Sequence, residues 1–309
     1  MFVNWLNTLP SAAAQGLVWG LMAIGVYITY KILDIADLTV DGSICTGGAV
    51  CAVLMVNGVN VWVAMLAALL AGMLTGLVTG FFHTFMGIPA ILSGILTQLM
   101  LWSVNLKIMG KANQAISNKI FKLVKQLDPI LSVLVLLAFV TCVIAVLYWF
   151  FGTELGCSMR ATGCNLNMSR AQGINTSFTQ ILGLVISNGI VALSGALLVQ
   201  YQGYADINMG RGAIVIGLAA VVIGDAITSR ISPNFAVRLA GVAFGGIVYW
   251  FVYQTVIFLG LDPDLLKLLS AVVVAIFLAV PYLKKKYFTR SSDKAEKKAA
   301  KAQDSGKEE

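Results

Sequence analysis

Charge is scarce in this chain. Only 11% of its 309 residues are Asp, Glu, Lys or Arg, under half of the roughly 25% carried by soluble domains. Together with 59% hydrophobic residues and a mean hydropathy of +0.87, that shortage excludes an ordinary water-soluble domain. Histidine is rarer still. His83 stands alone, so it has no partner for a proton relay and reads as a satisfied residue at a span end. No segment follows the Gly-x4-Gly-Lys-Ser/Thr pattern of a phosphate-binding loop, so nucleotide hydrolysis is not expected in this chain. The first ten residues hold no Lys or Arg, which removes the basic start of a cleavable signal peptide. Five cysteines, an odd number, show neither metal-ligand nor disulfide spacing. No metal site and no catalytic constellation is expected.

What the chain does have is long apolar sequence. A helix needs about 20 mainly apolar residues to cross a bilayer. Runs of that character lie near 12–33, 40–57, 60–82, 87–106, 129–152, 176–200, 212–228, 235–259 and 265–283. Strong helical cues and the absence of alternating strand patterning exclude a β-barrel. The expected fold is an all-α polytopic membrane protein with about nine transmembrane helices, eight to ten being compatible with the pattern. The second and seventh runs are short and follow polar, Gly-containing stretches, Asp37–Gly42 and Asp206–Arg211. They read as broken helices.

One pattern occurs twice, 169 positions apart and without gaps. Gly20 matches Gly189, Ala36-Asp37 matches Ala205-Asp206, Gly48 matches Gly217, and Leu70-Ala71-Gly72 matches Leu239-Ala240-Gly241. Gly76 matches Gly245. With nine crossings the copies start five spans apart and are inverted, an arrangement typical of transporters. Repeat 1 covers about 12–106 and repeat 2 about 176–283, with 129–152 as the linking span. Gly72/Gly76 and Gly241/Gly245 are small-x-x-x-small pairs that permit close helix packing.

The net charge of +7 is mostly local. From Lys284 onward nine Lys/Arg stand against five Asp/Glu, and the preceding 283 residues carry twelve against nine. No nucleic-acid partner is expected. A basic stretch directly after a span argues for the cytoplasm, so the 284–309 tail is placed there, disordered by its polarity. The 153–175 segment then falls on the same side. Lys107, Lys111, Lys119, Lys122 and Lys125 fall in an external loop, against the usual bias. Either a solvated amphipathic helix over 113–127 or a docking surface for an acidic partner accounts for them.

Residues 153–176 read as two short helices with punctuation. Thr153 caps the first, with Glu154 near its positive end, and Gly163 is placed to end it in a left-handed turn. Asn165 caps the second, Gly173 ends it, and Asn175 or Thr176 opens the next span. The run Glu154-x-Gly156-x3-Arg160-Ala161-x-Gly163-x-Asn165-x5-Ala171-x-Gly173-Ile-Asn175 resembles the cytoplasmic coupling segment of ABC importer permeases of the branched-chain amino acid/ribose class. The stretches Ile32–Ser43, Ser103–Gly110 and Ser187–Gly210 are similar to the tryptophan/tyrosine-type subgroup of those permeases. The resemblance covers about residues 12–283.

That resemblance implies a permease subunit in a bacterial cytoplasmic membrane, working with a second permease copy as a homodimer or with a close relative. Two cytoplasmic ATPase subunits would hold the ATP and Mg, and an extracytoplasmic binding protein would deliver a small solute, an aromatic amino acid favoured. It also implies contacts with the ATPase from Glu154, Gly156, Arg160, Ala161, Gly163, Asn165, Arg170, Ala171 and Gly173. An ion-coupled secondary transporter using Asp37 and Asp206 is the alternative that the residues alone leave open. Ionisable groups within spans usually face a cavity. Asp37, Thr39, Asp41, Asp206, Asn208 and Arg211 are therefore candidates for the solute pathway, with Asp37 and Asp206 as helix caps being the other reading. Arg211 suits a carboxylate, and a carboxylate suits an amine.

Overall fold

A backbone in lipid must satisfy its own N–H and C=O groups, and continuous apolar sequence does so as helix. The computed structural model describes residues 2–117, 120–126, 128–228 and 234–258, together with Leu268, Ala271, Val272, Ala275 and Ala279. The ninth expected span lies outside them except for those five residues. Lys119 and the 284–309 tail also lie outside.

Among the described residues ten helices and two short strands follow in chain order. They are α1 (Phe2–Tyr27), continued by a π-helical turn (Ile28–Ile32), α2 (Val40–Val56), α3 (Val61–Thr84), α4 (Ala90–Met109), β1 (Asn113–Ala115) and α5 (Pro129–Phe151). Then come α6 (Glu154–Cys164), α7 (Leu166–Ala171), α8 (Thr176–Gln202), β2 (Tyr204–Asp206), α9 (Ala213–Thr228) and α10 (Phe235–Phe258). Among the described residues six stretches are long and apolar enough to cross a membrane: Thr8–Ile32, Val61–Thr84, Ala90–Met109, Pro129–Phe151, Thr176–Gln202 and Phe235–Phe258. The 17 residues of α2 span only about 26 Å at 1.5 Å per residue, short of the roughly 30 Å hydrocarbon core. The 16-residue α9 is shorter still. Both follow the polar, Gly-containing stretches that break the helical run.

The centre of the molecule is the pair α1 and α8. Their apolar windows are 89% and 83% buried, against 22% for α5 and 28% for α4, so α4 and α5 form the periphery. Three side-chain bonds lace the central pair. Ser187 Oγ donates to the Gly25 carbonyl at 2.8 Å, Ser194 Oγ to Val18 at 2.7 Å, and Tyr201 OH to Ser11 at 3.3 Å. Numbers rise by seven along α8 and fall by seven along α1, so the helices run antiparallel. The 169-residue match pairs Val18 with Ser187 and Gly25 with Ser194. It therefore exchanges the first two bonds with each other.

The outer helices cross over between copies. α3 packs on α8, and its counterpart α10 packs on α1. Small residues set these distances, as expected where lipid supplies no hydrophobic drive between helices. A Cβ on Gly76 would strike the Leu184 carbonyl, and one on Gly72 would strike Asn188 and Ala192. Gly241 and Gly245 sit equally close to Thr228, Ala220 and Gly224 of α9.

The fold is mostly helical, but it is not free of strands. β1 and β2 pair antiparallel, Asn113 with Asp206 and Ala115 with Tyr204, and the ribbon is extended by Ile116 N–H to Gly203 O and Ile207 N–H to Ala112 O. Nor does the lysine loop form a solvated helix in its described residues. It folds down as a cap, with Leu123 N–H donating to Gln200 Oε1 and Ser132 Oγ donating to the Lys125 carbonyl. Lys122 is buried and donates to the Ile116 carbonyl. Burial, and then the neighbouring Lys125, hold its pKa below the ordinary lysine value.

Gly76→Leu should push α3 off α8. We expect a lower thermal-inactivation midpoint in detergent and a loss of at least the ~1–3 kcal/mol typical of overpacking. Leu74→Ala on the exposed side of the same helix should change stability by no more than about 0.5 kcal/mol.

Candidate functional site

An aspartate placed between apolar helices needs donors, and Asp37 has them. Its Oδ1 accepts the Thr39 N–H at 2.9 Å, closing a local turn ahead of α2, and its Oδ2 accepts from Asn188 Nδ2 at 2.7 Å. Asn188 Oδ1 in turn accepts from Ser43 Oγ at 2.6 Å, and Ser43 shares a hydrogen bond with Thr75 at 2.7 Å. Thr39 pairs with Thr79 at 2.7 Å, and Thr79 donates to Thr97 at 3.0 Å. Every member is buried. The network ties the broken segment to α2, α3, α4 and the middle of α8. Asp37 is 2% and Thr39 0% exposed, so both are enclosed by protein.

Asp206 repeats the turn at the equivalent place. Its Oδ1 accepts the Asn208 N–H at 2.7 Å, while Oδ2 accepts from Asn113 Nδ2 at 3.3 Å across the ribbon. Asp206 is half-buried and Asn208 exposed. Asp41, in the first turn of α2, reaches across to the start of α9. Its two oxygens accept the N–H groups of Gly212 at 3.0 Å and Ile214 at 2.8 Å. The Gly210 N–H donates to Cys45 Sγ at 3.1 Å. The positive ends of two helices thus meet with a carboxylate fixed between them.

Arg211 lies beside this junction, is exposed, and makes no ion pair among the described residues. Asp41, Cys45 and Arg211 line a cavity of about 200 Å³. Arg211 also borders a second cavity of about 340 Å³ walled by Trp19, Tyr249, Trp250 and Tyr253. Of the six pathway candidates, the structure brings Asp41 and Arg211 to one cavity and seals Asp37 and Thr39 into the bundle. The network partners Asn188, Ser43, Thr75, Thr79 and Thr97 were not anticipated. The signal that points to them is the need for donors around an enclosed aspartate.

At the other end, the 153–175 segment is tied to the same machinery. Thr153 accepts the Gly156 N–H, Asn165 the Met168 N–H and Asn175 the Phe178 N–H, so each side chain starts a helix. Gly173 takes a left-handed φ of +80°. Gly163 does not. It lies within α6 and faces the Ile32 carbonyl so closely that a Cβ has no room; the glycine is there for contact between segments, not for a turn. Gly156 is pressed likewise on the backbone of Phe150 and Phe151.

Thr162 bonds Thr179 of α8 at 3.0 Å. The Arg160 guanidinium lies over the Phe235 and Phe151 rings, 4.4 and 5.3 Å from their centroids, a cation–π geometry that joins α6 to α10 and α5. Arg170 Nε donates to Thr176 Oγ1 at 3.0 Å. Ala161 is half-buried, while Glu154, Asn165 and Ala171 are exposed. The outward side carries three apolar residues missed in the sequence: Leu155, Leu166 and Met168, 47%, 39% and 46% exposed. Between α6–α7, the 33–36 segment and the α3–α4 turn lies a cavity of about 540 Å³. His83 closes that turn through the Ile88 carbonyl at 2.9 Å.

Fold and site together define a multi-pass helical membrane protein with broken helices meeting at its centre. The sequence profile of the branched-chain amino acid transport system permease component matches residues 9–280, and the chain belongs to that family, the permeases of ABC importers. It is 40% identical over 274 residues to the tyrosine transport system permease protein of Clostridioides difficile (strain R20291), covering 89% of this chain and 91% of that protein. It is 35% identical over 278 residues to an uncharacterised protein of Rickettsia prowazekii (strain Madrid E), covering 89% and 98%. Among solved structures, PsaBC from Streptococcus pneumoniae in complex with Fab matches with a TM-score of 0.53 at 13% identity, covering 94% of this chain and all of that one, a likeness of fold. The chain is thus a transport subunit, with ATP hydrolysis assigned to a separate subunit.

Asn188→Leu strips a buried carboxylate of its side-chain donor. We expect a loss of about 1–3 kcal/mol, read as a lower unfolding midpoint of the purified permease, with part of it regained in the Asp37→Asn/Asn188→Leu double variant.

Proposed function

We propose that this chain forms the translocation pathway of an ATP-driven importer for a small solute, an amino acid with an aromatic side chain favoured. The observation that carries the reading is the 40% identity, over nine-tenths of both chains, to a permease named for tyrosine transport. In this reading the 153–175 segment docks on the ATPase through Leu155, Leu166 and Met168, with Glu154 and Arg170 at the rim. Arg160, Gly156 and Gly163 serve the same coupling by fixing the segment to α1, α5 and α10. Movement of α6 would reach Ile32 through Gly163, then the 33–39 segment, then the Asp37 network and α2. ATP held with Mg in the partner supplies the bias between two states that this chain contacts differently.

The full assembly in this proposal has two copies of the permease, two ATPases and an extracytoplasmic binding protein. Each copy has nine crossings in two inverted repeats, the tail and the coupling segment in the cytoplasm, and the lysine loop outside. The antiparallel α1–α8 pair and its exchanged hydrogen bonds support the inversion. The capped lysine loop keeps Lys125 at the surface for an acidic partner. Since Asp37 is enclosed by protein and each of its oxygens already accepts a hydrogen bond, ion coupling through it is not favoured.

In reconstituted vesicles, uptake should require the ATPase and ATP. Uptake by this chain alone on an ion gradient would overturn the reading. Replacing both Leu166 and Met168 by Glu should lower ATPase co-purification by about tenfold, the factor that 1.4 kcal/mol confers. Membrane insertion should remain normal.

A further inference from the structure

α4 contributes one wall of the cavity at the helix junction. Gln98, Trp102 and Asn105 are spaced four and three residues apart, which places them on one face of the helix. All three line the 200 Å³ cavity opposite Asp41 and Arg211. Asn105 is 1% exposed, and its Oδ1 has no hydrogen-bond partner among the described residues. A buried acceptor left open in a native structure calls for a donor, and the cavity beside it is where one can enter. Trp102, 45% exposed, offers an indole to the same space, and aromatic rings pack on one another in offset or edge-on contacts.

The charges suit a zwitterion. Asp41 is held rigid by two backbone N–H groups, yet an ionised carboxylate has about four acceptor positions, so two remain for an ammonium. Arg211 supplies the planar fork that matches a carboxylate. Transporters commonly place solute sites where discontinuous helices meet.

We propose that Gln98, Trp102 and Asn105 form, with Asp41 and Arg211, a binding site inside the membrane-spanning region for a zwitterionic amino acid whose aromatic ring carries a hydrogen-bond donor. Arg211 takes the carboxylate, Asp41 the ammonium, Trp102 the ring, and Asn105 Oδ1 the donor at the far end of the ring. Asn105 and Trp102 are then specificity residues of the permease itself, in addition to whatever selection a binding protein makes. This rests on the importer reading above.

The test uses the purified permease–ATPase complex in nanodiscs, with binding of radiolabelled L-tyrosine and L-phenylalanine measured directly. ATP-driven uptake is measured in parallel in vesicles. Asn105→Leu should weaken tyrosine binding by at least about tenfold and phenylalanine binding by less than about threefold, because only tyrosine loses a hydrogen bond. Asn105→Asp keeps an acceptor and should retain tyrosine binding, which separates recognition from damage to the fold. Trp102→Ala should weaken both ligands, and Trp250→Ala in the neighbouring cavity neither. The proposal is overturned if Asn105→Leu affects both amino acids equally or neither, if Trp250→Ala and not Trp102→Ala lowers binding, or if the wild-type complex binds neither amino acid. Loss of ATP dependence in uptake would instead sink the importer reading. ATP-driven uptake with unchanged binding in all variants removes this proposal alone.

Discussion

The bond on which the rest of the structure depends is the one between Asp37 and Asn188. A carboxylate carried into an apolar bundle is tolerable only with donors around it, and those donors lie 151 residues away in sequence. Meeting that requirement fixes where the chain after α1 turns back and where α2 begins. It also sets which face of α8 is central. Ser43, Thr75, Thr39 and Thr79 then extend the same demand outward to α3 and α4, so that four helices share one set of polar contacts. Because each hydroxyl is both donor and acceptor, the set closes with hydroxyls and one amide, and needs no second charge.

The junction of α2 with α9 follows from a related constraint. Two helices that start inside the bundle leave N–H groups without partners, and Asp41 serves those of α9 from the first turn of α2. This draws the two broken segments together and, among the described residues, leaves Arg211 without a carboxylate of its own. A site with fixed acceptors and, among those residues, an unpaired cation and an unfilled amide acceptor is suited to a ligand of both signs. At the opposite end, Gly163 on Ile32 brings the 153–175 segment into backbone contact with the start of the same broken stretch. Side chains cannot soften a contact of that kind.

Legibility in the sequence followed the range of the interactions. Helix starts at Thr153, Asn165 and Asn175 were readable because a cap bonds within three residues of itself. The shortness of α2 and α9 was readable from the length of the apolar runs. Gly163 was not, since glycine serves both turns and close approach, and only the position of Ile32 decides between them. Thr75, Thr79 and Thr97 were invisible for a different reason. Each also bonds a carbonyl of its own helix, and local sequence offers that use alone. The β1–β2 ribbon escaped because its strands are three residues long and their partners lie about ninety residues apart. Asn105 reads as one polar residue in an apolar run; only the cavity beside it gives it meaning.

The lacing of α1 to α8 has a consequence for how the molecule comes to exist. Gly25 receives its bond from Ser187, 162 residues later in the chain. At synthesis rates of about 5–20 residues per second, α1 is in the bilayer for about 8–32 s before its partner is made. Through that interval its narrow glycine face lacks the two helices that cover it, since α8 and α10 both come later in the chain. Within the first copy α2, α3 and α4 already have one another to pack on. It is therefore the central seam of the molecule, and not its first half as a whole, that waits for α8.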